Sequence, residues 1–225
     1  CKDTTILFKN SNLHEKKLVL TKKSVIFAAE KCVNTQKSYP KQQKIAKTNK
    51  NITIAPATLK NYIDYCSDAF LIEEANRYDV KGRKYIGTPM KFYFSDLGLR
   101  NALLNFRQIE KTHLMENDIY CELRRQGFNV DVGVVVFNGK DENGVSFRKQ
   151  LEVDFVCNKG SRRYYIQSAL SLPTPEKMDQ ETNSLRRIDD GFEKIVIVGE
   201  HFVSNHDNNG ILFMSIYEFM SKELS

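Results

Sequence analysis

The sequence predicts an α/β protein in two units. Residues 1–100 hold a helix followed by a β-hairpin, the layout of a winged helix with a basic N-terminal flank, and residues 101–225 form an α/β domain with a mixed central sheet. Three observations carry that expectation. Apolar residues recur at spacings of 3 and 4 from Leu59, and again on the stretch from His113, which is the period of an amphipathic helix. Alternating or continuous apolar runs of strand length follow both stretches. Near the C-terminus a strand, a helix and a strand within about 35 residues make a right-handed crossover, which places two strands parallel.

Composition bounds the classes. With 225 residues, 41% hydrophobic, 28% charged and only 11 Gly and 5 Pro, the chain is neither disordered, collagenous nor of low complexity. No run approaches the ~18 apolar residues of a membrane span and no apolar signal segment opens the chain, so the expectation is a cytoplasmic protein without a membrane partner. Cys1 at the first position reads as a chain cut from a longer one. Cys1, Cys32, Cys66, Cys121 and Cys157 are scattered with no C-x-x-C pair, and read as free thiols rather than zinc ligands. His201 and His206, with Asp207, precede Asn208-Asn209-Gly210 and read as a surface loop.

Residues 1–30 hold short apolar groups that assign to no element. From Lys31 to Ile63 the chain has seven lysines and no Asp or Glu, against a formal charge of +6 overall. Such a stretch is the footprint of a phosphate backbone, or else a solvated lysine-rich surface. Pro56 suits the first turn of a helix, whose stripe is Leu59, Tyr62, Ile63, Cys66, Ala69 and Phe70. Two extended segments follow, Leu71–Val80 and Lys84–Phe94, joined around Lys81-Gly82 and broken at Gly87-Thr88-Pro89. In a winged helix the helix and hairpin tip touch nucleic acid, or serve a protein contact instead. The candidate nucleic-acid residues are therefore Lys41, Lys44, Lys47, Lys50, Lys60, Lys81, Arg83 and Lys84.

In the second unit, His113–Gln126 predicts a helix with Glu116 on its apolar stripe. An acid there calls for a partner, either a metal or a salt bridge such as one to Arg124. Val130–Phe137 and a strand ending in Leu151–Val156 predict an antiparallel pair. Alternation puts Leu151, Val153 and Phe155 on one face and Glu152 and Asp154 on the other. Arg163–Leu170 is a third strand, with Tyr165, Gln167 and Ala169 sharing a face. A helix over Pro175–Ile188, a buried parallel strand over Lys194–Val198, and a last strand and helix over Ile211–Leu224 complete the chain.

An acid on the first helix and acids on the next strands is an arrangement that holds Mg²⁺ or Mn²⁺ beside a phosphodiester, because hard cations prefer oxygen ligands and lower the pKa of an attacking water. On Asp154, Gln167 and the strand order, the chain resembles the restriction-endonuclease-like superfamily, of PD-(D/E)XK type and α/β/α architecture. On Tyr62-Ile63-Asp64-Tyr65, Asp68–Ile72, Arg77–Gly82, Tyr93–Asn101, Met115-Glu116-Asn117, Leu151–Val156 and Tyr165-Ile166-Gln167 it resembles the domain of unknown function that follows the ATPase core in a prokaryotic family of AAA-type ATPases. The resemblance implies Glu116, Asp154 and Gln167 as the site, with Asp154, Glu152 and Gln167 toward a metal. It also implies an upstream ATPase core as partner. No Gly-x-x-x-x-Gly-Lys-Ser/Thr run occurs, so this chain has no P-loop for ATP. Where the superfamily has lysine this sequence has Ala169, and Gln167 offers an amide instead of a carboxylate; Cys66 and Ser67 also depart from the helix pattern. A missing water-positioning base forfeits about 10²–10⁴ in rate, unless Lys149 or Arg163 substitutes. The sequence thus predicts a degenerate nuclease fold used for nucleic-acid or partner recognition, and the alternative is an active Mg²⁺- or Mn²⁺-dependent DNA endonuclease.

Overall fold

The computed structural model describes residues 5–7, 19–21, 56–106, 110–140 and 144–224. The chain divides into two compact units, Cys1–Glu74 with Lys91–Ile109, and Ala75–Met90 with Glu110–Ser225. A hairpin of β3 (Ile72–Asp79) and β4 (Lys84–Phe94) runs from one into the other and back.

In the first unit, β1 (Thr5–Leu7) and β2 (Val19–Thr21) pair antiparallel. Helix α1 (Pro56–Asp68) starts on the expected proline and buries Ile63 and Cys66 from one stripe. On its solvent side Lys60 and Asp64 form an i,i+4 pair at 2.7 Å, which at this exposure contributes only a few tenths of a kcal/mol. The helix stops in a Schellman turn. Leu71 N–H donates to the Cys66 carbonyl at 3.0 Å and Phe70 N–H to that of Ser67 at 2.9 Å, with Phe70 at φ 55° where glycine is usual. Helix α2 (Leu97–Leu103) is capped by Asp96, whose Oδ1 accepts from Leu99 N–H at 2.7 Å.

The second unit is built on helix α3 (Lys111–Arg125), strands β5 (Asn129–Lys140), β6 (Ser146–Lys159) and β7 (Arg162–Ala169), helix α4 (Pro175–Arg186), strands β8 (Glu193–Val198), β9 (Asn205–His206) and β10 (Leu212–Ser215), and helix α5 (Ile216–Ser221). Its sheet has eight strands in the order β4-β3-β5-β6-β7-β8-β10-β9. β5, β6 and β7 form an antiparallel meander, while β3–β5, β7–β8 and β8–β10 are parallel pairs. The sheet is therefore mixed and the crossover through α4 returns a parallel strand, as the apolar pattern predicts. Two departures stand out. β4 continues through Gly87-Thr88-Pro89, where a break is expected, because it is the edge strand and an edge leaves room for a residue without an N–H. β3 does not end with its own hairpin but joins β5, Arg77 facing Val132 and Asp79 facing Val134.

Two layers of helix cover this sheet. Val153, Val156, Tyr165, Val196 and Val198 pack with Leu185 of α4. On the other face Phe155 meets Tyr120 of α3 with ring centroids 6.5 Å apart, and Tyr164 meets Phe128 at 5.6 Å. Strict alternation, which groups Phe155 with Val153, fails at this point. Asp131 faces Val156 but Gly133 faces Val153, so Asp154 and Phe155 together oppose Val132 in a β-bulge. Val153 and Val156 both come to bear on Gly133, where an added Cβ would stand 2.8 Å from each.

Candidate functional site

The bulge decides what Asp154 can touch. Its side chain is buried, and Oδ2 accepts two hydrogen bonds from Ser168 on β7, one from the backbone N–H and one from the hydroxyl, each at 2.8 Å. Gln167 turns its Oε1 to the Asp154 N–H at 3.4 Å. Asp154, Gln167 and Ser168 thus form one hydrogen-bonded group across two adjacent strands. Ser168 is the residue that sequence alternation misses, since it falls on the face opposite Gln167. An isolated glycine within a strand pattern, here Gly133, is the signal that marks the bulge.

Glu152 goes elsewhere. Its Oε2 meets Arg77 Nη2 of β3 at 2.6 Å, over the intervening strand β5. Glu116 is buried on α3, and its neighbour Met115 reaches the C-terminal ends of β7 and β8. There the Gly199 N–H donates to the Ala169 carbonyl at 3.0 Å, and a Cβ added at Gly199 would lie 3.2 Å from Met115 Sδ and 2.7 Å from the Leu170 carbonyl. Glu116 and Ser168 therefore belong to the same end of the sheet. Arg124 donates to the Phe128 carbonyl at 2.9 Å, at the end of its helix. Among the described residues no group of three or more His, Cys, Asp or Glu lies close enough to hold a metal ion.

Ala169 is buried in the apolar layer with Val156, Leu185 and Val198, so a longer side chain at this position would enter the core. Lys149 and Arg163 each lie five residues along a strand from Asp154 and Ser168 respectively, about 16 Å of extended chain. Lys149 is exposed opposite Phe137, and Arg163 is held at Asn158, its Nε 2.7 Å from Oδ1.

The candidate nucleic-acid residues fall in three places. Lys41, Lys44, Lys47 and Lys50 lie outside the described residues. Lys60 is paired with Asp64. Lys81, Arg83 and Lys84 are exposed on the tip of the β3–β4 hairpin, where Gly82 N–H donates to Asp79 Oδ1 at 2.9 Å. Lys81 and Arg83 also line a cleft of about 650 Å³. Its other walls are Asn158 and Gly160 to Arg163 around the turn between β6 and β7, and the loop between α4 and β8, with Tyr78 and Phe192 as its aromatic residues. The Arg163 guanidinium lies over both rings, 5.4 Å from the Tyr78 centroid and 5.3 Å from that of Phe192. Beneath it Tyr165 donates its hydroxyl to Asp190 Oδ2 at 2.6 Å, and burial, with that bond, pushes the phenol up to about 12.

Among the described cysteines, Cys66 and Cys157 are buried free thiols and Cys121 is half-buried. Both histidines are exposed, but only His201 lies outside an element: His206 belongs to β9, opposite Leu212, because the turn after it closes a short antiparallel pair in which Asp207 Oδ1 accepts from Asn209 N–H at 2.8 Å and Ile211 N–H at 2.9 Å. His201 rests against Tyr217 at 5.6 Å. No helix among the described residues is long and apolar enough to cross a membrane.

Comparison with known proteins finds a family match over part of the chain. Residues 28–110 match a domain of unknown function, DUF8612. That stretch takes in α1, the β3–β4 hairpin and α2. An uncharacterized protein of Haemophilus influenzae is 29% identical over 155 residues, covering 69% of this chain and 35% of that protein. An uncharacterized protein of Methanocaldococcus jannaschii is 29% identical over 153 residues, covering 65% of this chain and 34% of its own length. The chain spans about a third of the length of these curated relatives. No solved structure matches it.

Proposed function

We propose that this chain is the recognition portion of a longer protein, a nuclease-like α/β fold that binds nucleic acid without cutting it. The observation that carries the reading is that the predicted acids are drawn apart, Asp154 Oδ2 to Ser168 and Glu152 to Arg77. A hard cation needs several oxygen ligands brought together, and among the described residues no group of three or more His, Cys, Asp or Glu lies close enough to hold one. The adjacent Gln167 supplies a neutral amide, Glu152 is paired with Arg77, and Ala169 is buried where a water-positioning lysine would stand. This set does not fit a resident Mg²⁺ or Mn²⁺, so no step through a metal is assigned.

The order α3, β5, β6, β7, α4, β8, with its antiparallel meander and parallel return, supports the restriction-endonuclease-like part of the reading. The relatives' further two-thirds of length supports a separate domain in the longer protein, for which an AAA-type ATPase core is our proposal. Nucleic acid is favoured as the partner by the lysine run from Lys31 to Lys60 and by the cations on the hairpin tip.

The test incubates the purified chain with plasmid and with single-stranded DNA at low salt and Mg²⁺ or Mn²⁺, beside Asp154→Asn, scoring cleavage and gel shift together. A shift without cleavage is expected, and its affinity should fall steeply with salt as each neutralised phosphate releases counterions. Cleavage that disappears in Asp154→Asn would overturn the reading in favour of an active endonuclease. Absence of any shift would overturn it in favour of a protein partner.

A further inference from the structure

We infer that the cleft between the β3–β4 hairpin tip, the β6–β7 turn and the α4–β8 loop is a nucleotide-binding site. The inference deepens the reading above, with which it shares Lys81 and Arg83, by placing the ligand in a cleft about 13–17 Å along the strands from Asp154 and Ser168.

The walls carry four cations, Lys81, Arg83, Arg162 and Arg163, against two carboxylates, Asp189 and Asp190. Asp190 is turned to internal donors: Oδ2 accepts from the Tyr165 hydroxyl at 2.6 Å and Oδ1 from Phe192 N–H at 3.2 Å. The cleft is therefore left with an excess of positive charge. Lys81 and Arg83 are exposed and make no side-chain hydrogen bond or ion pair among the described residues. Arg163 differs from them in being fixed before any ligand arrives. Asn158 holds its Nε at 2.7 Å and two rings hold its plane. A guanidinium held in this way, which also meets the Tyr78 and Tyr165 hydroxyls, loses little freedom on binding, and its planar shape is of the kind that suits a phosphate's paired oxygens.

Charge alone would suit any small anion. The aromatic wall selects further, because Phe192 is 41% exposed at the cleft and offers ring surface to a planar base. A volume of about 650 Å³ lies within the range of small-molecule sites, ~300–1,000 Å³, and admits a base, a sugar and phosphates together. Recognition here works through side chains, unlike a P-loop, which cradles phosphates on glycine-rich backbone. The shared chemistry is a phosphorylated nucleoside, either free or as part of a single strand.

The test measures equilibrium binding to the whole chain of a fluorescent nucleoside triphosphate, a labelled oligothymidylate and inorganic triphosphate. Variants are Lys81→Ser with Arg83→Ser, which sit on the surface, and Arg163→Lys, which keeps charge and loses the fork. Lys111→Ser with Lys222→Ser removes equal charge elsewhere and serves as control. Saturable nucleotide binding is expected, weakened about tenfold to a hundredfold by each cleft variant and little changed by the control. Competition of the oligonucleotide by the free nucleotide assigns a strand as the source; nucleotide binding without oligonucleotide binding assigns the free form. Either result upholds the site. It is overturned if neither nucleotide nor oligonucleotide binds, if control and cleft variants weaken binding equally, or if inorganic triphosphate binds as well as the nucleotide.

Discussion

Ser168 donates both its backbone N–H and its hydroxyl to the same oxygen of Asp154, each at 2.8 Å, so one oxygen of a buried carboxylate on β6 meets two donors of a single residue of β7. The bonds are charge-assisted and sit where the β-bulge interrupts regular pairing. Ser168→Ala keeps the N–H and removes the hydroxyl, and should cost about 1.5–3 kcal/mol of stability, the range for a hydrogen bond to a charged group. Asp154→Ala should cost more than Asp154→Asn, which keeps an acceptor for the Ser168 N–H. Urea denaturation at neutral pH checks the order, and a Ser168→Ala protein as stable as the parent would remove the hydroxyl from the account.

Ala169 tests the packing beside Ser168 from the opposite direction. A lysine at position 169 would supply the base that the proposed nuclease-like reading lacks, but the position is packed among Val156, Leu185 and Val198. Ala169→Met should cost about 1–3 kcal/mol from overpacking alone. Ala169→Lys should cost more, because its ammonium would also be desolvated. The excess should shrink as pH rises. Burial lowers a lysine's folded pKa below its unfolded value, the unfolded state then binds more protons, and stability increases with pH across that window. Denaturation midpoints of the two variants at pH 7 and pH 10 separate volume from charge, and parallel behaviour of Met and Lys would show that position 169 opens to solvent.

Much of this architecture was legible in the sequence because it rests on period. The stripe on α3 and the continuous apolar run Ile195–Val198 each reflect one face, or two, turned away from water, whereas the strand β5 runs on past Phe137 to pair Asn138 with Arg148 and Gly139 with Phe147. What escaped was what period does not encode. Alternation assumes unbroken pairing, and one extra residue at Asp154-Phe155 moved Phe155 to the α3 layer and brought Asp154 to Ser168. Pro89 read as a break because strand propensity is blind to whether a strand lies at an edge. The Arg163 cleft joins residues more than 100 positions apart, Lys81 to Phe192, and only the parallel return strands bring them together.

Gly133 holds the bulge. A methyl group there would stand 2.8 Å from Val153 Cβ and 2.8 Å from Val156 Cγ2, closer than carbon atoms approach in folded proteins. Gly133→Ala should therefore destabilise by about 1–3 kcal/mol through overpacking, despite alanine's lower entropy cost. Val156→Ala in the same chain should recover part of that loss by removing Cγ2. Val153→Ala should recover none, since the clash is with its Cβ, which alanine retains. A double-mutant cycle on denaturation free energies measures both couplings, and equal rescue by the two valine truncations would place the strain elsewhere.

The Tyr165–Asp190 contact predicts behaviour at alkaline pH. Burial first, and the bond to Asp190 second, raise the phenol from its ordinary value of 10.0 to about 12. The folded state therefore prefers the neutral phenol more than the unfolded chain does. This contribution is fully present below pH 10 and is lost as pH rises through about 12, because the unfolded chain gives up its proton first. Cys66, pushed up by burial from 9.0 to about 11, acts in the same direction from lower pH. The parent's stability should thus decline from about pH 9 upward. Tyr165→Phe removes a proton that titrates and also the donor to Asp190, so the variant should be less stable at neutral pH yet lose less between pH 10 and 12. Denaturation midpoints across that window, read beside tyrosinate absorbance of the folded parent, decide it; identical alkaline slopes for parent and variant would mean that Tyr165 ionises in the fold as readily as in the open chain.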